Sequence, residues 1–143
     1  MSKRNRAPDP QQAACPCGSG QAYPHCCGAL HGGAVANSAL ALMRSRYSAY
    51  AMGCNDYLLA TWHPSTRPAT LDLHTDPHAN TPQPAAQWIG LQVLRHEPGD
   101  EQAIVEFVAR YRIAGRAQRL HEISHFVREN GRWYYLKAEN EPD

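Results

Sequence analysis

Four cysteines within thirteen residues, Cys15-Pro16-Cys17 followed by Gly18, Ser19, Gly20 and then Cys26-Cys27-Gly28, constrain this chain more than any other feature. The spacing is C-x-C-x8-C-C. A segment this short has almost nothing to bury. Tyr23 and its prolines yield about a few kcal/mol on burial, while fixing so many backbones costs roughly 13–26 kcal/mol. A structural metal ion is large enough to close the gap, with about 10–16 kcal/mol of apparent binding energy in small finger peptides.

The stereochemistry points the same way. Proline stiffens the approach of Cys15 and Cys17, and Gly18 and Gly20 permit the positive-φ turns that a tight knuckle requires. Cys26 and Cys27 are adjacent, so they share a metal only if the backbone turns sharply there, which Gly28 favours. Four thiolates close a tetrahedral shell around Zn2+ and leave no position for substrate water, so the expected metal is structural. Two disulfides, a redox dithiol, or His25 as a fourth ligand are the alternatives. The charged start, Met1 to Arg6, carries no apolar signal segment, so a cytoplasmic, reducing setting is expected, where clustered cysteines are more often ligands than bridges. Cys54 falls in a helical pattern and is expected to be a small buried hydrophobe.

The 143 residues suit one domain plus a short appendage, and a formal net charge of +1 gives no field to recruit nucleic acid or an acidic membrane. No stretch reaches the roughly 18 apolar residues of a membrane span. Residues 1–14 are expected to be a disordered leader, 15–28 the zinc knuckle, and 35–140 an α+β domain. Leu30 to Gly33 reads as a link. Asn37 or Ser38 caps a helix carrying Leu40, Met43, Tyr47 and Tyr50, with Arg44, Arg46 and Ser48 elsewhere on its wheel, and Gly53 ends it. Asn55 or Asp56 caps a second helix over 57–62. Over 64–87 the prolines predict a helical turn near 67–73 and then an irregular loop. Four strands follow, over 89–95, 103–111, 120–128 and 132–138, with Ala114-Gly115 and Asn130-Gly131 as reversals. Helices first and antiparallel strands after predict an N-terminal knuckle joined to helices packed on one face of a curved four-stranded sheet.

Cys15, Cys17, Gly18, Ser19, Gly20, Tyr23, Cys26 and Cys27 closely resemble the SEC-C motif, the zinc-binding tail of the preprotein-translocation ATPase SecA. Many members end on histidine where this chain has Cys27. The resemblance implies zinc on the four cysteines and, as in SecA, contact with an export chaperone or the ribosome. Leu42 to Tyr50, Tyr57 to His63, Val105 to Tyr111 and Gly131 to Tyr135 look like the bacterial YchJ family, which joins a SEC-C motif to a cone-shaped domain similar to nuclear transport factor 2. That resemblance implies the fold without an activity.

A cone of this kind encloses a pocket. Tyr47, His63, Glu106, Arg110 and Glu122 are the polar residues expected to line it. Alternation puts Glu122 and Ser124 on one face with Leu120 and Phe126, and puts Glu106 and Arg110 together on the other strand. Two functions follow. The favoured one is an adaptor or binding module, with a knuckle docked on a protein or ribosome surface and a cone that binds a small ligand or forms a homodimer. The other is a small isomerase- or hydrolase-like enzyme using Glu122 or His63; no aspartate sits at an inward strand position to complete the isomerase arrangement.

Overall fold

Residues 14–69 and 87–140 are described in the computed structural model. The expected leader, Ala14 apart, and the segment 70–86 lie outside the described residues, and with them most of the expected turn over 67–73; residues 67–69 are irregular. The element order is a 3-10 turn at Tyr23–His25, α1 (Cys27–His31), α2 (Ala39–Met52), α3 (Asn55–Ala60), then β1 (Gln87–Glu97), β2 (Gln102–Ile113), β3 (Arg116–Glu129) and β4 (Arg132–Asn140). The four strands form one antiparallel sheet in the order β1-β2-β3-β4, so the fold is the α+β arrangement expected.

Helix α2 starts where the sequence places it. Ser38 is extended and its side chain accepts from the Ala41 amide, while Gly53 closes the far end at φ 75. Its interior differs from expectation. Ser45, Arg46 and Ser48 are buried together with Leu42, Met43 and Tyr47, because the helix is covered on two sides: by the sheet on one and by the knuckle and α3 on the other. Helix α3 begins at Asn55 and stops at Ala60, two residues short of the expected end. Beyond it the chain pairs with the sheet instead: the His63 amide donates to the Tyr135 carbonyl and the Tyr135 amide donates to Thr61. This single parallel bridge covers part of the β4 edge.

Of the three hairpin reversals, the last two take consecutive positive-φ residues, Ala114 and Gly115 at 52 and 79, Asn130 and Gly131 at 53 and 78, which matches the twist of the flanking strands. Placing valine at Gly131 forces a branched side chain into that region, at about 1–2 kcal/mol. Gly131→Val is therefore expected to lower the urea midpoint with an unchanged slope; an unaltered midpoint would refute the turn assignment.

The sheet is bent by irregularities in register between Trp88 and Gly90, between Val93 and Arg95, and beside His125. Ile89 and Leu94, the residues passed over in the first two, are among the exposed large hydrophobics, at 44% and 46%. Bulges re-aim side chains and increase local twist, so the strand wraps around α2. The main core joins Ala39, Leu42 and Met43 of the helix to Ala103, Val105, Phe126 and Trp133 of the sheet. No described helix is long and apolar enough to cross a membrane.

Candidate metal centre and the adjoining cavity

The knuckle is built almost wholly from backbone. The Cys15 amide donates to the Gln21 carbonyl at 2.9 Å and the Gly18 amide to Cys15 at 3.1 Å, with Gly18 and Gly20 at φ 81 and 89. The 3-10 turn then ends at Cys26, whose φ −130 and ψ −115 break the chain direction before α1 starts at Cys27. That break turns two adjacent side chains to one point. The four Sγ atoms of Cys15, Cys17, Cys26 and Cys27 lie within 4.8 Å of one another, Cys17 and Cys26 at 3.6 Å and Cys26 and Cys27 at 4.0 Å. A tetrahedral ion with sulfur ligands at about 2.3 Å needs sulfurs about 3.8 Å apart, so the donor set fits a metal that prefers thiolates. His25 is exposed and Cys54 stands between α2 and α3, both outside the cluster.

Cys17 is pulled down to about 4, chiefly by the Cys27 hydrogen bond and against its own burial, with Ser19 assisting. Cys27 is pushed up by the same bond and by burial. Opposite shifts in one pair favour a thiolate on Cys17, the form in which a metal ion would be bound.

Gly28 has a role other than a flexible turn. A Cβ there would lie 2.7 Å from the Tyr23 carbonyl oxygen and 2.8 Å from its ring. Gly28→Ala must therefore displace the turn that aims Cys26 and Cys27. Metal affinity is expected to fall about 10–100-fold, the usual cost of disturbing what orients metal ligands; competition with a chromophoric chelator measures it, and unchanged affinity would show the turn to be adjustable.

The knuckle is docked on α2 and is not a loose appendage. Cys15, Cys17 and Cys27 are buried, and with Tyr47 and Ala109 form the second core cluster. Cys15 Sγ lies 3.5 Å from Ser48 Oγ, and Arg44 Nη1 donates to the Cys17 carbonyl at 3.0 Å. His31, expected in a link, is instead the last residue of α1 and a pin. Its Nε2 donates to the Ser45 carbonyl at 2.8 Å, so its Nδ1 accepts from the Tyr23 hydroxyl at 2.6 Å. The signal in the sequence was Arg44, Ser45 and Ser48, polar residues at helical spacing that would face solvent on a helix covered on one side only.

Behind this cluster, between α2 and the sheet, lies a cavity of about 350 Å³. Tyr47 and Glu122 of the expected residues line it. The other three do not. Glu106 points to the opposite face of the sheet, where its carboxylate meets His121 at 2.7 Å and Arg95 at 3.1 Å; those partners, His121 first, hold it below the usual carboxylate range. Arg110 is exposed. Strand alternation accounts for both, because Phe107 and Ala109 of β2 face the cavity and their neighbours face away. His63 bonds to Glu129 at 2.8 Å and to Ser65, drawn aside by the bridge between its own segment and β4.

Arg46 is the cavity residue that the wheel placed wrongly. It is 5% exposed, and its Nη1 donates to the Leu58 carbonyl at 2.8 Å and to Thr61 Oγ1 at 2.7 Å. Its guanidinium also lies over the rings of Tyr135 at 4.6 Å and Trp62 at 5.1 Å. Burial pushes the Glu122 carboxyl up against the opposing effects of Ser124 and Arg46, and pushes the Tyr50 and Tyr135 hydroxyls up as well.

Residues 38–138 match the family model described as YchJ, middle NTF2-like domain, and residues 13–29 match the SEC-C motif. The chain belongs to the YchJ family. Among its relatives, a UPF0225 protein of Chromobacterium violaceum is 55% identical over 132 residues, spanning 89% of this YchJ-family chain and 93% of the relative. A UPF0225 protein of Bordetella parapertussis is 50% identical, spanning 94% and 98%. The solution structure of a SEC-C motif containing protein from Rhodopseudomonas palustris is similar at a TM-score of 0.75 and 35% identity, covering 90% of this chain and 98% of that one. A crystal structure of a SEC-C motif containing protein from Psychrobacter arcticus is similar at 0.67 and 28% identity, covering 90% and 83%.

Proposed function

We propose that this YchJ-family protein is a zinc-binding interaction module: its knuckle docks on a protein or ribosome surface, and its cone holds a small ligand. The observation that carries the reading is the convergence of four thiols with no fifth donor among the described residues. A saturated sulfur shell favours zinc and does no chemistry of its own. Three of those cysteines face inward, so the parts left for a partner include the exposed Ser19, Gly20, Gln21, Pro24 and His25. The SEC-C resemblance makes an export chaperone or the ribosome the partners to try first, in a cytoplasmic setting.

Protein purified under reducing conditions should carry one zinc per chain by elemental analysis. Purified export chaperone and purified ribosomes should each be titrated with the loaded protein and with Cys26→Ser. Zinc-dependent binding to either supports the adaptor; equal binding by the variant, or binding of neither, counts against it.

One observation favours the second reading, a small isomerase- or hydrolase-like enzyme. Glu122 lines a cavity with its carboxyl pushed up by burial, as a general acid or base would require. His63, the other candidate base, stands outside it. Turnover abolished by Glu122→Gln at unchanged folding would support an enzyme.

A further inference from the structure

We propose that the cavity between α2 and the sheet binds a small flat carboxylate with an apolar body, its acid group received by Arg46, Ser124 and Glu122. This rests on the reading of the cone as a ligand-binding module and names the class of ligand.

The walls set the body. At about 350 Å³ the hollow is near the small end of ligand sites, which run from about 300 to 1,000 Å³. Tyr47, Trp88, Phe107 and Phe126 surround it, with Tyr47 edge-on to Trp88 at 5.7 Å. Rings at these positions offer faces and edges to a planar guest. Apolar surface dominates, so a guest with polar groups all round would leave them unpaired.

The polar groups set the head. Arg46, Tyr50, Glu122 and Tyr135 all line the hollow and lie close enough together that the Arg46 charge acts on the other three. Arg46 is tied by Nη1 to Leu58 and Thr61, and among the described residues it makes no ion pair with Glu122. A cation and a carboxyl thus share one apolar enclosure without touching. A guest carboxylate neutralises the buried cation where the low dielectric makes that attraction strong, and it accepts hydrogen bonds from the Ser124 hydroxyl and from Glu122 when protonated. A cationic guest meets repulsion from Arg46. A neutral guest gains nothing from the guanidinium charge.

The test uses the full-length, metal-loaded protein and three probes of one size: benzoate, benzyl alcohol and benzylamine, followed by amide chemical shifts. Benzoate is expected to shift residues around Tyr47, Phe107 and Glu122 and to bind at least tenfold more tightly than benzyl alcohol, with benzylamine weakest. Arg46→Met should weaken benzoate at least tenfold and leave benzyl alcohol within about threefold. Glu122→Gln, which keeps a hydrogen-bond donor, should bind benzoate within about threefold of the parent. Leu120→Trp, which fills the hollow, should abolish the shifts. If Arg46→Met does not fold, the ranking of the three probes on the parent decides alone. Benzyl alcohol or benzylamine binding as well as benzoate overturns the carboxylate assignment while leaving a ligand-binding cone. No probe entering the hollow overturns both.

Discussion

Removing the metal under reducing conditions is expected to lower the thermal midpoint of the whole protein by roughly 10–20 °C, and not merely to loosen its first residues. An ion held at about a thousand times its dissociation constant contributes about 4 kcal/mol, and each kcal/mol moves the midpoint of a chain this size by a few degrees. The loss spreads because Cys15, Cys17 and Cys27 belong to one packed cluster with Tyr47 and Ala109. The knuckle helps to bury Ser45 and Ser48, through His31 on the Ser45 carbonyl and Cys15 beside Ser48, while Tyr57 of α3 holds the Ser45 hydroxyl. A knuckle that melts exposes a polar helix face and loosens the Tyr47 wall of the cavity. Calorimetry with and without a chelator, and hydrogen exchange of the α2 amides, read both effects. A midpoint that does not move would mean that the thiols hold no ion or that the knuckle contributes nothing to the domain.

The second large effect is expected from Arg46→Met, at about 3–5 kcal/mol of stability in chemical denaturation. Two buried hydrogen bonds from a charged group are each worth about 1.5–3 kcal/mol, and the contacts over Tyr135 and Trp62 add a smaller cation–π share. Methionine keeps much of the apolar stem, so the loss reports the guanidinium and not a void. The Leu58 carbonyl accepts from Arg46 at 2.8 Å and from Thr61 Oγ1 only at 3.4 Å, so the variant leaves it with the weaker of its two side-chain bonds. Arg46→Lys retains the charge without the planar fork and should recover only part of the loss. A variant within about 0.5 kcal/mol of the parent, the scale of ordinary surface substitutions, would show the residue to be a bystander.

These two predictions mark where the linear pattern was informative and where it was not. The strands and their reversals were legible because alternation and positive-φ turn residues are local: Asn130-Gly131 forms its hairpin from two adjacent residues. The four cysteines were legible because their spacing makes sense only around a shared centre. Arg46 was misplaced because a helical wheel assumes one buried face. The knuckle supplies a second, and no local pattern announces that. His63 was misassigned for a related reason, since a bridge to β4, more than seventy residues further along, decides where its ring goes.

The pocket residues divide on the same line. Period-two alternation correctly puts Glu122 beside Ser124, but it cannot say which face of the sheet meets α2, and that choice sends Glu106 and Arg110 outward. What the sequence by itself determined, then, is the sulfur cluster, the α+β order and the hairpins, each fixed by residues close in the chain. Only the tertiary structure decided that the cysteine knuckle is a wall of the domain and that Arg46 and Glu122 share a cavity. Those outcomes depend on which surfaces bury each other, and burial is a property of distant segments brought together.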